Sequence, residues 1–201
     1  MDWNTTYSKG RKYPQFSDVF LDELLALLSK RYHSSNIGRV VDIGCGRGEL
    51  AIQLAKRGIK VTGFDSSEKA LELARANAVE ANVDNFVQFI KADIEKFEDN
   101  KLEKEIARAQ LVICKLVIAF LNDRVSFLKK INLNMRDKAL LLLQTPVFLD
   151  KKGLTNHLSS ISVPKNKIEN ELKEIFSNFS LLKEELMAEG VFLNTYVVKK
   201  N

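Results

Sequence analysis

Val40-Val41-Asp42-Ile43-Gly44-Cys45-Gly46-Arg47-Gly48-Glu49-Leu50-Ala51 is the stretch on which the reading of this chain turns. Arg39 to Asp42 includes two β-branched valines and alternates little, the pattern of a strand buried on both faces. Glycines at 44, 46 and 48 then let the backbone turn sharply with no Cβ in the way. Leu50, Ala51, Leu54 and Ala55 recur at helical spacing, so a helix begins at once. Strand, glycine turn and helix N-terminus together form the unit with which a parallel α/β sheet holds a nucleotide-like ligand at its carboxyl edge.

A dinucleotide fingerprint, G-x-G-x-x-G, would place its third glycine at position 49, which is Glu49. The pattern here is Asp42-x-Gly44-x-Gly46-x-Gly48, with an acid two residues before the first glycine. A carboxylate at that strand tip repels a pyrophosphate and suits a ligand bearing an ammonium and a sulfonium. That disfavours a nicotinamide oxidoreductase and points to S-adenosylmethionine (SAM). The stretch resembles motif I of the class I SAM-dependent methyltransferases, (D/E)-x-G-x-G-x-G.

Two further strand ends match that family. Lys60-Val61-Thr62-Gly63-Phe64 reads as a second strand and runs into Asp65-Ser66-Ser67, 21 residues past Gly44 (65 − 44). Phe86 to Ile90 reads as a third, leading to Lys91-Ala92-Asp93-Ile94. The resemblance implies that Gly44 and Gly46 pass under the methionine part, that Asp65 holds the ribose, and that Asp93 receives the adenine amino group. It implies a cofactor-binding set of Asp42, Gly44, Cys45, Gly46, Asp65, Ser66, Ala92, Asp93, Ile94 and Cys114. An alternative for Asp65, a helix N-cap, falls more naturally to Ser66 or Ser67.

The fourth strand, Leu111-Val112-Ile113-Cys114, continues as Lys115-Leu116-Val117. In the family this segment faces the methyl group. DNA-adenine and glutamine methyltransferases carry (D/N)-P-P-(Y/F) there, and this departure counts against those acceptors. A lysine in so apolar a stretch is costly to bury: Lys115 either reaches solvent by snorkelling or touches the acceptor or the SAM carboxylate, and a site-edge position is favoured.

The remaining elements follow the same alternation. A helix is expected from Ser17, with Val19, Phe20, Leu24, Leu27 and Leu28 as its stripe, and His33 lies just beyond it. A helix is predicted over 68–82, and 95–109 is charged, a loose helix or loop. Another helix is expected over 123–132, and a fifth strand, Ala139 to Thr145, is ended by Pro146. Residues 147–165 lack a period, and as a long loop leaving the ligand edge they are assigned to the acceptor pocket. His157 is the side chain there suited to proton transfer, so Lys115 and His157 are the candidate catalytic residues. A helix over 168–178 precedes two strands, 180–188 and 191–199, that the short turn at Gly190 makes antiparallel.

The expected fold is therefore α/β, a Rossmann-like doubly wound sheet of about seven strands, mostly parallel, closing in a C-terminal antiparallel hairpin. The resemblance covers about residues 37–200. One domain spans 1–201, with an N-terminal arm and helix over 1–36 and the core over 37–201.

Composition narrows the partners. With 45% hydrophobic and 28% charged residues the chain is an ordinary globular sequence, and +5 is a modest net charge. Cys45 and Cys114 offer neither a metal spacing nor a disulfide framework, so no metal is expected. The N-terminus lacks the apolar core of a signal peptide, and the stretch 111–121 is too short to span a bilayer, so a cytoplasmic protein without membrane partners is expected. Tyr7-Ser8-Lys9-Gly10-Arg11-Lys12-Tyr13-Pro14 mixes basic and aromatic residues, either as a frayed terminus or as a lid or acceptor-binding arm. Methyl transfer to an O, N or S atom of a small molecule is the leading expectation. An RNA methyltransferase, motivated by that arm, and a SAM-binding protein without transferase activity are the alternatives.

Overall fold

A computed structural model describes residues 2–10, 15–32, 38–96, 100–176 and 178–200. His33 and the basic-aromatic residues 11–14 lie outside them. Five parallel strands carry the fold: β1 (Arg39–Ile43), β2 (Lys60–Asp65), β3 (Val87–Lys91), β4 (Leu111–Lys115) and β5 (Leu140–Phe148). A hairpin of β7 (Phe179–Ala188) and β8 (Val191–Lys199) adds antiparallel to β5, and a two-residue β6 (Val163–Pro164) also pairs with β5. The order is β3-β2-β1-β4-β5-β8-β7. Strand order reverses between β1 and β4, the place where open α/β sheets bind ligands.

Alternation along the strands divides the core. Val40, Ile113, Leu140 and Leu142 face one side, under α2 (Asp18–Tyr32), α3 (Glu49–Ala55) and α4 (Glu68–Glu80). Val41, Ile43, Val112, Cys114, Leu141 and Leu143 face the other, under α5 (Lys101–Arg108), α6 (Arg124–Asn134) and α8 (Lys165–Phe176). Burial of each such leucine stabilises the fold by about 2 kcal/mol.

The helices start where capping chemistry dictates. Ser67 caps α4 by accepting from Ala70 N (3.1 Å), and Asp123 caps α6 by accepting from Ser126 N (2.9 Å). In the charged segment 95–109, α5 forms over 101–108 because Leu102 and Ile106 bury one face. The stripe of α2 is rotated from expectation. Leu21, Leu24 and Leu28 are buried while Val19 and Leu27 are exposed, since packing against the sheet selects one of two overlapping apolar faces.

Two expectations are corrected near β5. Pro146 does not end the strand, which runs on to Phe148. The proline falls after the last β4 pair, Lys115 with Gln144, and before the first β6 pair, Val147 with Val163. On that flank no ladder asks for its missing N–H. The segment 147–165 is not one loop. It extends β5, forms the short α7 (Asn156–Ser160) and returns as β6, making eight strands rather than about seven. Among the described residues no helix is long and apolar enough to cross a membrane.

Candidate active site

The carboxyl ends of β1, β2 and β4 and the turn after β3 open into one cavity of about 970 Å³, its mouth included. Its polar floor is made by the glycine turn. Gly44 N and Cys45 N both donate to Phe64 O (2.7 and 3.0 Å), which bends the chain off β1 and binds it to β2. Gly44 and Gly46 have φ of +71° and +54°, the left-handed region that favours glycine. A Cβ on Gly44 would stand 2.3 Å from Val117 Cγ2, and one on Gly46 would stand 2.6 Å from the Tyr7 hydroxyl. A side chain at either position would be strained and would force its neighbour to shift.

Asp42, Asp65 and Asp93 all line this cavity. Asp65 is held by the turn itself, its two oxygens accepting from Gly46 N and Ser67 N at 2.9 Å each. Burial pushes its carboxyl up, and the Ser67, Gly46 and Ser66 amides pull it back. Asp42 is buried, and its Oδ2 has no hydrogen-bond partner among the described residues. Burial pushes Asp42 up to about 7, against the pull of Lys115 and with added push from Asp65 and Glu49. An orphaned carboxylate oxygen aimed into a cavity is an acceptor for a ligand ammonium.

Of the other expected cofactor residues, Cys45, Ser66 and Ile94 line the cavity. Ala92 is not among the lining residues: its N–H donates to Asp65 O (3.0 Å) and its side chain packs against the core on the other face of the sheet. Cys114 is placed elsewhere: strand alternation turns it into the core on the far side of the sheet, where burial pushes its thiol up. Of the candidate catalytic residues, Lys115 lines the cavity, and burial lowers its ammonium while Asp42 and Glu49 pull it up. His157 is exposed on α7 and is not brought to the site, nor is any other residue of 147–165. That segment instead extends β5, forms α7 and returns as β6, and none of its residues lines the cavity.

The outer wall comes from the N-terminal arm and the segment after β4, including Trp3, Gln15, Phe120 and Leu121, which were not among the expected site residues. Residues Trp3–Ser8 form a short helix, α1, and Trp3, Tyr7 and Gln15 line the cavity. Trp3 stands edge-on to Phe120, ring centroids 5.0 Å apart and 89° between planes. Asn4 Oδ1 accepts from Ser67 Oγ (2.8 Å) and Lys69 N (3.3 Å), docking α1 on the start of α4. Leu116, Val117, Phe120 and Leu121 complete the wall. Leu116 leaves β4 at φ +60° with its N–H donating to Gln144 O (2.8 Å), which folds Val117 onto Gly44. Glu95 ties this loop to the turn after β3 by accepting from Asn122 N (2.6 Å), Asn122 Nδ2 (2.9 Å) and Asp123 N (3.3 Å). Trp3 and Tyr7 are the aromatic signal for α1, and the resemblance marks the segment after β4 as the one that faces the methyl group, without singling out a wall residue in it.

A parallel sheet with a C-terminal antiparallel hairpin, a glycine turn after β1 and acids at three strand ends defines a class I methyltransferase. The methyltransferase-domain family model matches residues 34–189, and the chain belongs to that family, whose enzymes take SAM as methyl donor. A putative methyltransferase of Geobacillus sp. (strain WCH70) is 42% identical over 76 residues, covering 38% of this chain and 27% of that protein. The ubiquinone biosynthesis O-methyltransferase of Rickettsia bellii is 24% identical over 195 residues, covering 92% of this chain and 78% of that protein. The N-terminal domain of EvdMO1, solved with S-adenosylhomocysteine (SAH) bound, shares the fold with a TM-score of 0.68 at 16% identity, covering 94% of this chain and 87% of that domain.

Proposed function

We propose that this protein transfers the methyl group of SAM to an O, N or S atom of a small, largely apolar acceptor. The observation that carries this reading is the division of one cavity into a carboxylate-rich floor and an aromatic wall. SAM, when bound, supplies a methyl carbon already activated by its sulfonium. The chain then has to position two reactants and exclude water.

The proposed roles divide along the floor. Asp42 holds the ammonium, Gly44 and Gly46 let the cofactor approach the backbone, Asp65 takes the ribose hydroxyls and Asp93 the adenine amino group. Trp3, Val117, Phe120 and Leu121 enclose the acceptor. No histidine lines the cavity among the described residues, so the arrangement suits an acceptor that attacks without a dedicated imidazole base. Five carboxylates in the lining, Asp42, Glu49, Asp65, Asp93 and Glu95, oppose entry of a phosphodiester chain and support the small-molecule reading over the RNA one.

Incubation with methyl-labelled SAM and cell extract separated into small-molecule, RNA and protein fractions tests the proposal. Label in the small-molecule fraction is expected. Label confined to RNA, or SAM binding with no label transferred anywhere, would overturn it.

A further inference from the structure

Strand geometry makes Lys115 more than a site-edge residue. Parallel pairing sets Ile43 beside Cys114, so Lys115 lies one step further along, abreast of Gly44. Alternation then points Lys115 to the same face of the sheet as Asp42 and Ile113, opposite to Val112 and Cys114. Asp42 and Lys115 thus stand on adjacent strands and on the same face, as diagonal neighbours with Lys115 two residues beyond the Asp42 partner Ile113, at the end of the sheet where the glycine turn begins. The Lys115 ammonium lies 5.8 Å from the Phe16 ring centroid.

Charge completes the case. Among the described residues that line the cavity, Lys115 is the one cationic side chain, set among five acids. SAM carries one carboxylate, on the carbon that also bears its ammonium. A carboxylate and an ammonium on one face of adjacent strands, both lining the cavity, are complementary in charge to the two ends of that zwitterion.

Resting on the SAM reading above, we infer that Lys115 holds the methionine carboxylate of SAM and makes the pocket select cofactors that carry it. Asp42 takes the neighbouring ammonium, and the adenosine contacts at Asp65 and Asp93 are independent of both. A competing role exists, in which Lys115 only neutralises Asp42 and Glu49. The two roles differ in sign. If Lys115 binds the carboxylate, its removal weakens SAM; if it only offsets nearby acids, its removal makes the pocket more negative and tightens every cationic ligand.

Isothermal titration of wild type, Lys115→Met and Lys115→Arg separates them, with SAM, decarboxylated SAM and 5′-methylthioadenosine as probes at one pH and ionic strength. In Lys115→Met, SAM affinity is expected to fall at least about tenfold, equivalent to about 1.4 kcal/mol. Methylthioadenosine should stay within twofold, and decarboxylated SAM should be unchanged or tighter. Lys115→Arg should restore most of the SAM affinity. The inference is overturned if SAM binding holds in Lys115→Met, if SAM and decarboxylated SAM tighten together, or if SAM and methylthioadenosine weaken together. Wild-type protein that binds neither SAM nor methylthioadenosine would instead sink the SAM reading itself.

Discussion

The two halves of the cavity are built by opposite means. The floor is local and backbone-made: a turn of a few residues after β1 positions Gly44, Gly46 and, through the Gly46 amide, Asp65. The outer wall is assembled from afar, with Trp3 of α1 meeting Phe120 of the post-β4 loop. Main-chain hydrogen bonds hold the floor, whereas a few side-chain contacts hold the wall. A site that binds one shared cofactor and one particular acceptor gains from this division, because the wall can change without disturbing the floor.

The sharpest break in that comparison is Gly44→Ala. Its methyl group would collide with Val117 and force a left-handed side chain, a strain of roughly 1–3 kcal/mol before any ligand is considered. SAM affinity should fall more than about 100-fold by calorimetry, with a lower melting temperature. A substitution in the wall should do the reverse. Trp3→Ala should leave SAM affinity within twofold while raising KM for the acceptor found by labelled transfer about tenfold, as loss of an aromatic pair and its buried area predicts.

The floor is also where pH should act. Asp42 is pushed up from the usual 3.8 to about 7 in the folded protein, so it holds its proton more tightly folded than unfolded. That contribution to stability is complete below about 4 and is lost as pH rises through about 7. SAM binding runs the other way, since only ionised Asp42 attracts the ammonium. Ligand-free melting temperature should therefore gain from acidification between pH 8 and 5, while SAM affinity drops about tenfold over the same interval. Asp42→Asn should flatten both profiles, and an unchanged SAM profile in that variant would remove Asp42 from the binding role.

The smallest effect belongs to the contact that joins the halves. Asn4→Ala removes the acceptor for Ser67 Oγ and Lys69 N, worth about 1 kcal/mol. Amide exchange over Trp3–Ser8 should quicken by about fivefold, with SAM affinity within twofold.

Much of the floor was legible because its signals are short-range. Glycine spacing sets backbone angles, and strand-end acids sit where the strands end, so Asp42, Asp65 and Asp93 converge as their positions imply. Cys114 and Lys115 show the limit of that legibility. Both close β4, and which one faces the cavity depended on how β4 registers against β1, a relation between distant segments. His157 was attractive for its chemistry alone, and α7 carries it to solvent.

By itself the sequence determined the β1–turn–α3 unit, the order of alternating strands and helices, and the terminal hairpin, because each rests on neighbouring residues and their periodicity. Tertiary structure alone decided that α1 walls the cavity, that β5 continues through Pro146, and that Lys115 rather than Cys114 lines the cavity. Those outcomes depend on which surfaces are buried against each other, and burial is a property of the packed chain, not of any stretch of it.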